Sequence, residues 1–378
     1  MLKSPGIMLA AALLSATALT PAYASHGHGK YRIVHRNGRD CFQTDYWRDG
    51  RYMTAAFTAG TYSGGQELDG TGCDIVAYAG AGESLSITAD VYAHGGLYFD
   101  VVGNGAQSIT VKDSTLGKTG DDVFSGNQRG VGVYTTDSPT PTQVDIENNV
   151  IMAYQKNGVA LLGNVSGRVY RNTVVGHGPT SVIAQNGIEL GLGAHEVDVN
   201  YNTVVGHSYT GPNFASSGGI LALGGDCWQG PTQTYNNISN NYGNGNDVGV
   251  YEYNLDSTCT TAVSIPTHNV VRKNQLNNDA VNNTTGDGTG PYQVGIAVGD
   301  NGPRVVKNQI CGIGYNDTDQ HGGLIAPIDS SGSINAKIKG TGCKNPGAQE
   351  IIATGRIIDV KALARRMQPF DMTMKPNS

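Results

Sequence analysis

The chain has 378 residues, of which 54 are glycine and only 15% are charged, with a net charge of −6. That balance gives no overall basic character for nucleic acid or an anionic membrane, and plentiful β-branched and tyrosine residues argue against disorder. Glycine, asparagine and β-branched residues together describe many short strands joined by tight turns.

Residues 1–24 read as a signal peptide. Lys3 opens it, a mostly apolar stretch follows from Ile7 to Leu19, and Ala22-Tyr23-Ala24 precedes a cut before Ser25. The apolar stretch is too short to cross a bilayer, so the expectation is a secreted chain: extracellular, periplasmic or at the cell surface. The histidines of SHGHGK (25–30) fit a processed N-terminal tail better than a metal site. Residues 25–105, less regular and holding Trp47, are expected to form an N-terminal cap and the first coils.

From residue 106 to 335 one phrase recurs, apolar-x-x-Asn-x-apolar. NTVVGH is written twice, at 172–177 and 202–207, and looser copies place anchors at Ser114, Asn149, Asn172, Asn202, Asn237, Asn274 and Asn308. A second phrase follows each, glycine and then apolar residues, as in GVALL (158–162), GIELGL (187–192), GILAL (219–223) and GVYEY (249–253). Repeats of this length mean stacked units rather than one closed core. Their alternation at period two excludes helical repeats. Each unit is therefore one coil of short parallel strands, stacked at about 4.8 Å. Asparagine suits the turn because it tolerates left-handed backbone and bonds its copy in the next coil; the recurring glycine is expected at positive φ.

Six cysteines stand at Cys41, Cys73, Cys227, Cys259, Cys311 and Cys343, three couples each 32 residues apart. Fifteen pairings are open in principle; neighbour pairing is favoured because each couple would tie one coil to the next. Residues 336–378 complete the chain as a C-terminal cap and tail, with a short amphipathic helix at DVKALARRM (359–367).

This organisation resembles the right-handed parallel β-helix proteins of the pectate-lyase-like superfamily over residues 106–335. The fold class expected is all-β: a single-stranded right-handed parallel β-helix solenoid with an N-terminal cap and a short C-terminal helix and tail. The resemblance implies architecture and not activity, because that fold carries lyases, hydrolases, epimerases, esterases and non-catalytic surface proteins.

Stacking turns register into columns. Five places after the anchors stand Tyr154, His177, His207 and Tyr242, expected to form one ladder of rings. Its bland reading is a stabilised turn; its sharper reading is a saccharide-binding strip with a histidine that exchanges protons. A second column holds Lys112, Glu147, Tyr170, Asn200, Tyr235 and Arg272, and a third Thr110, Asp145, Arg168 and Asp198. Asp145–Arg168–Asp198 reads as a solvent-facing charge ladder, or as a groove wall of the kind uronate-acting β-helix enzymes need. Its arginine would repel a cation, so no metal site is expected. Glu189 falls on an outward position, with Leu221 and Tyr251 next in its row, and Glu252 on an inward or turn position. A loop at 207–218 adds Tyr209.

The functional expectation is a carbohydrate-active enzyme for an extracellular, uronate-containing polysaccharide. His177 or His207 would be acid or base, Arg168 would face substrate charge, and Glu189 would be the carboxylate. Tyr154, Tyr170, Tyr209, Tyr242, Tyr251 and Glu252 would bind substrate, with no cofactor and no metal. The alternative is a non-catalytic secreted or surface rod that binds glycan or cell-envelope material. The partner expected is polysaccharide, with no nucleic acid or membrane, and the chain is read as a monomer or side-by-side homo-trimer.

Overall fold

The structure, a computed structural model, describes residues 30–121, 124–212, 215–283 and 290–343. The signal peptide and the helix at 359–367 lie outside these residues, as do Asn213 and Phe214 of the 207–218 loop. The chain winds through three sheets of 12, 10 and 9 strands, here called A, B and C. One coil supplies a strand to each in turn, as in Asn157–Leu162 (A), Val165–Tyr170 (B) and Thr173–Thr180 (C). Every rung from Arg51–Thr58 onward pairs in parallel with the next rung of its own sheet. The fold is an all-β parallel β-helix.

Regular coils begin before residue 106: the strands Ile75–Ala79, Ser84–Thr88 and Tyr92–His94 already form a full turn of the solenoid. In front of them, Arg32–Arg36, Arg39–Arg48 and Arg51–Thr58 pair antiparallel and extend sheet A as a cap. The disulfides join Cys41–Cys73, Cys227–Cys259 and Cys311–Cys343, as neighbour pairing anticipates. Three such bonds suit an oxidising, extracellular environment. No described helix is long and apolar enough to cross a membrane.

The two copies of NTVVGH lie on adjacent rungs: Thr173, Val174 and Val175 pair with Thr203, Val204 and Val205. At successive turns between sheets B and C, from Asn149 to Asn308, the asparagines form a buried ladder. Asn172 donates both its backbone N–H and its side-chain amide to Asn202 Oδ1, at 2.9 and 3.0 Å. Asn202 donates in the same way to Asn241, Asn241 to Asn274, and Asn274 to Asn308.

Two expectations are corrected here. The left-handed residue is the one before each ladder asparagine, with φ of +54° at Arg171, +57° at Tyr201 and +55° at Asn240. The asparagine itself turns inward, where only a side chain with both donor and acceptor can bridge rungs. Of the recurring glycines, Gly130 has the expected positive φ, at +85°, but Gly158, Gly187, Gly219, Gly249 and Gly295 do not. These five are small because of close approach: a Cβ on Gly187 would sit 2.4 Å from the Gly219 carbonyl oxygen.

The core fills the coil interior with Val159, Ile188, Ile220 and Val250 from sheet A, Val169 and Val199 from B, and Val174 and Val204 from C. Sheet A is apolar on both faces, and its strands Asn186–Gly191 and Gly218–Gly224 are buried at every residue.

Candidate functional site

The outer face of sheet B carries the charge columns in the order expected: Thr110, Asp145, Arg168 and Asp198 pair rung to rung, beside Lys112, Glu147, Tyr170 and Asn200. The Arg168 guanidinium is already engaged. Its Nε donates to Asp145 Oδ1 and its Nη2 to Glu147 Oε2, both at 2.8 Å. Tyr170 lies edge-on to Tyr201 with Arg171 over its ring at 4.9 Å. This is a solvent-facing network with Arg168 compensated from two sides.

The expected ladder Tyr154–His177–His207–Tyr242 does not form, for two reasons of register. First, the rung after Asn202 is anchored by Asn241 and not by Asn237. The stretch NNISNN offers two frames, and Ile238, buried and pointing into the core, selects the later one. Tyr242 then pairs with Thr203 and Gln275, is 43% exposed, and leaves the position beyond His207 to Asn246. The same slip puts Ser239, not Tyr235, beside Asn200. Second, one extra residue between Val175 and Gly178 sets Gly178 opposite His207. His177 is displaced to the surface, where it stacks on Phe124 at 4.5 Å.

His207 instead points inward and has no exposed surface. Its Nδ1–H donates to Asn246 Oδ1 at 2.9 Å, and Nε2 accepts from the Tyr154 hydroxyl. Burial pushes the imidazole down to about 4, against a weaker upward pull from Asn246. It is a neutral structural group that a polymer outside the coil does not touch. Between pH 6.5 and about 4 the unfolded chain therefore binds the extra proton and the folded chain does not. Acidification through that window is expected to remove about 3 kcal/mol of stability. Urea unfolding at pH 7, 5.5 and 4 checks this, and His207→Gln should flatten the dependence.

Tyr209 is also buried, its N–H donated to Asp247 Oδ2 at 2.7 Å. Glu252 lies inside the coil, accepting from Gln233 Nε2 at 3.0 Å and Asn269 Nδ2 at 2.9 Å. Burial first, and the Asp300 carboxylate second, raise its proton affinity well above that of an ordinary glutamate. A glutamate held neutral satisfies these neighbours without charging the core.

The remaining carboxylate has a different setting. Across the outer face of sheet A runs one row of paired residues: Tyr134, Ala160, Glu189, Leu221, Tyr251, Ala297 and Asp329. Glu189 sits mid-row between aliphatic rungs, with Phe99, Tyr134, Tyr251, Tyr253 and Tyr292 elsewhere on the same face. Asn157, on the preceding rung, donates its side-chain amide to Glu189 Oε2. The adjacent Lys156 donates Nζ–H to the Ala184 carbonyl at 2.8 Å. Burial pushes its ammonium down to about 8, against the opposing charge of Glu189. Both side chains are almost fully enclosed.

The chain was compared with protein-family models, curated proteins and solved structures. None matches.

Of the four residues read as catalytic, Glu189 faces outward from sheet A, His207 faces the interior, Arg168 lies on sheet B and His177 is exposed at the bulge within a sheet C strand. They do not converge. Lys156 and Asn157 were missed by sequence reasoning, although a lysine opening the otherwise apolar strand phrase KNGVALL was a usable signal. Elsewhere, the cap holds an open cavity of about 450 Å³ lined in part by Trp47, Tyr52, Arg36 and Arg51. Both of its arginines turn to the buried carboxylate of Asp74.

Proposed function

We propose that the chain is an exported, carbohydrate-active β-helix protein of the pectate-lyase-like kind, acting on an extracellular polysaccharide as a lyase, epimerase or hydrolase. Its working surface on this reading is the outer face of sheet A. One observation carries it: a buried carboxylate in the middle of an aromatic and aliphatic face is held by the Asn157 amide and acts electrostatically on the adjacent buried Lys156, whose proton affinity is lowered. Buried charge in such a row is expensive compared with another leucine, and perturbed ionisable pairs cluster where proton transfer is done. A lysine that loses its proton near pH 8 can abstract the proton beside a uronate carboxylate. The tyrosines of the face supply flat surfaces for sugar rings.

Glu189 has no solvent-exposed surface in this conformation, so turnover on this reading requires the face to open. That same burial favours a second reading, a non-catalytic glycan-binding rod. A panel of uronate and neutral polysaccharides separates them. The enzyme reading expects either ultraviolet-absorbing unsaturated ends, new reducing ends or inverted uronate stereochemistry from at least one polymer. None of the three from any polymer leaves the rod.

A further inference from the structure

The columns that are charge-balanced over the middle coils of sheet B become single-signed at its C-terminal end. The three last rungs, Val270–Arg272, Arg304–Val306 and Lys337–Lys339, stack in parallel register, with Arg272 opposite Val306 and Val306 opposite Lys339. They carry Arg272, Arg304, Lys337 and Lys339. Lys273 and Lys307 add two more at the left-handed turn positions, and their backbone N–H groups bond to the next rung. All six are exposed, and segments 270–277, 304–311 and 337–343 contain no aspartate or glutamate.

The middle coils of the same sheet solve this geometry differently: Lys112 and Arg168 share Asp145 and Glu147. Like charges on adjacent rungs are unfavourable, and an acidic chain has carboxylates to spare for this face. Next to the cations, sheet C presents Tyr242, Gln275 and Gln309 in one exposed row.

We propose that this strip binds a linear anionic polysaccharide, carboxylated or sulfated, against the last coils. Rungs about 4.8 Å apart place cations at intervals comparable with one sugar residue, the glutamine amides reach hydroxyls, and Tyr242 offers a ring face. The strip lies on sheet B and Glu189 on sheet A, so capture and turnover fail independently of each other.

The experiment titrates the mature chain with polygalacturonate, chondroitin sulfate and neutral dextran, and with vesicles of phosphatidylcholine and phosphatidylserine. The parent is expected to bind at least one anionic polymer at low salt, not dextran, and to weaken as salt rises. Arg304→Gln/Lys307→Gln/Lys337→Gln together should lower that affinity at least about tenfold and reduce the salt slope. Gln substitutions at Lys30, Arg32 and Arg39 should leave it within about twofold. These are surface positions, and matching thermal unfolding curves confirm an intact fold. The proposal is overturned by a triple variant that binds like the parent, by a parent that ignores both anionic polymers, or by capture on vesicles in preference to either polymer.

Discussion

Asn241→Ala is expected to lower the unfolding free energy by roughly 4 kcal/mol, whereas Asn237→Ala should cost no more than about 1 kcal/mol. The difference follows from what each amide holds. Asn241 Oδ1 accepts from both the backbone and side chain of Asn202, at 2.9 and 3.0 Å. Its Nδ2 donates to the Val199 carbonyl and to Asn274 Oδ1, at 2.9 and 3.0 Å. Alanine would leave the Asn202 backbone N–H and one of the two Asn202 side-chain amide hydrogens buried without partners, at about 1–3 kcal/mol each, and would interrupt the ladder between its halves. Asn237 makes one amide bond to Asp198 on the outer face, where water replaces it. Urea titration of the two variants checks the pair, and equal losses would mean that the ladder runs through the other frame.

On the polymer that the panel identifies, Glu189→Gln is expected to lower kcat by about 10²–10⁴-fold, equivalent to about 3–5 kcal/mol of barrier. Lys156→Met should do the same and should also change the pH profile. With lysine as base, the parent rate climbs as the pH rises toward about 8, where the ammonium loses its proton, and the climb disappears in the variant. Glu189→Gln also leaves the buried Lys156 ammonium without its counter-charge, so a stability loss accompanies it. The assay therefore runs well below the unfolding temperature of both proteins. A purely structural role would lower stability while leaving the rate per folded molecule and the pH profile unchanged.

The coil architecture was legible because it is periodic. Asn172 and Asn202 stand in identical phrases, and in a parallel stack identical phrases become vertical neighbours. The charge columns through Asp145, Arg168 and Asp198 were legible for the same reason, as was the outward place of Glu189 beside Leu221. Errors arose where a rung gains a residue or offers two frames. NNISNN supports an anchor at 237 or 241, and only the inward packing of Ile238 separates them. The extra residue after Val175 moved His177 out of a column that the text alone keeps straight. A one-residue change at a turn alters which side chain faces in, and no pairwise spacing records it.

The basic strip shows the same limit in another form. A net charge of −6 averages over the chain, but its fields act locally, and three rungs distant in sequence meet on one face.

The amino-acid order by itself determined the repeat and the all-β stack and favoured neighbour pairing of the cysteines, since each depends on spacing along the chain. Only the tertiary structure decided that His207 is sealed inside against Tyr154 and Asn246, that Lys156 is buried within electrostatic reach of Glu189, and that six cations gather on three rungs whose described segments contain no carboxylate. Those outcomes depend on which face of a strand each residue occupies after bulges and turns have shifted the register. That is settled by packing across coils, where burial and hydrogen-bond satisfaction outweigh the local pattern.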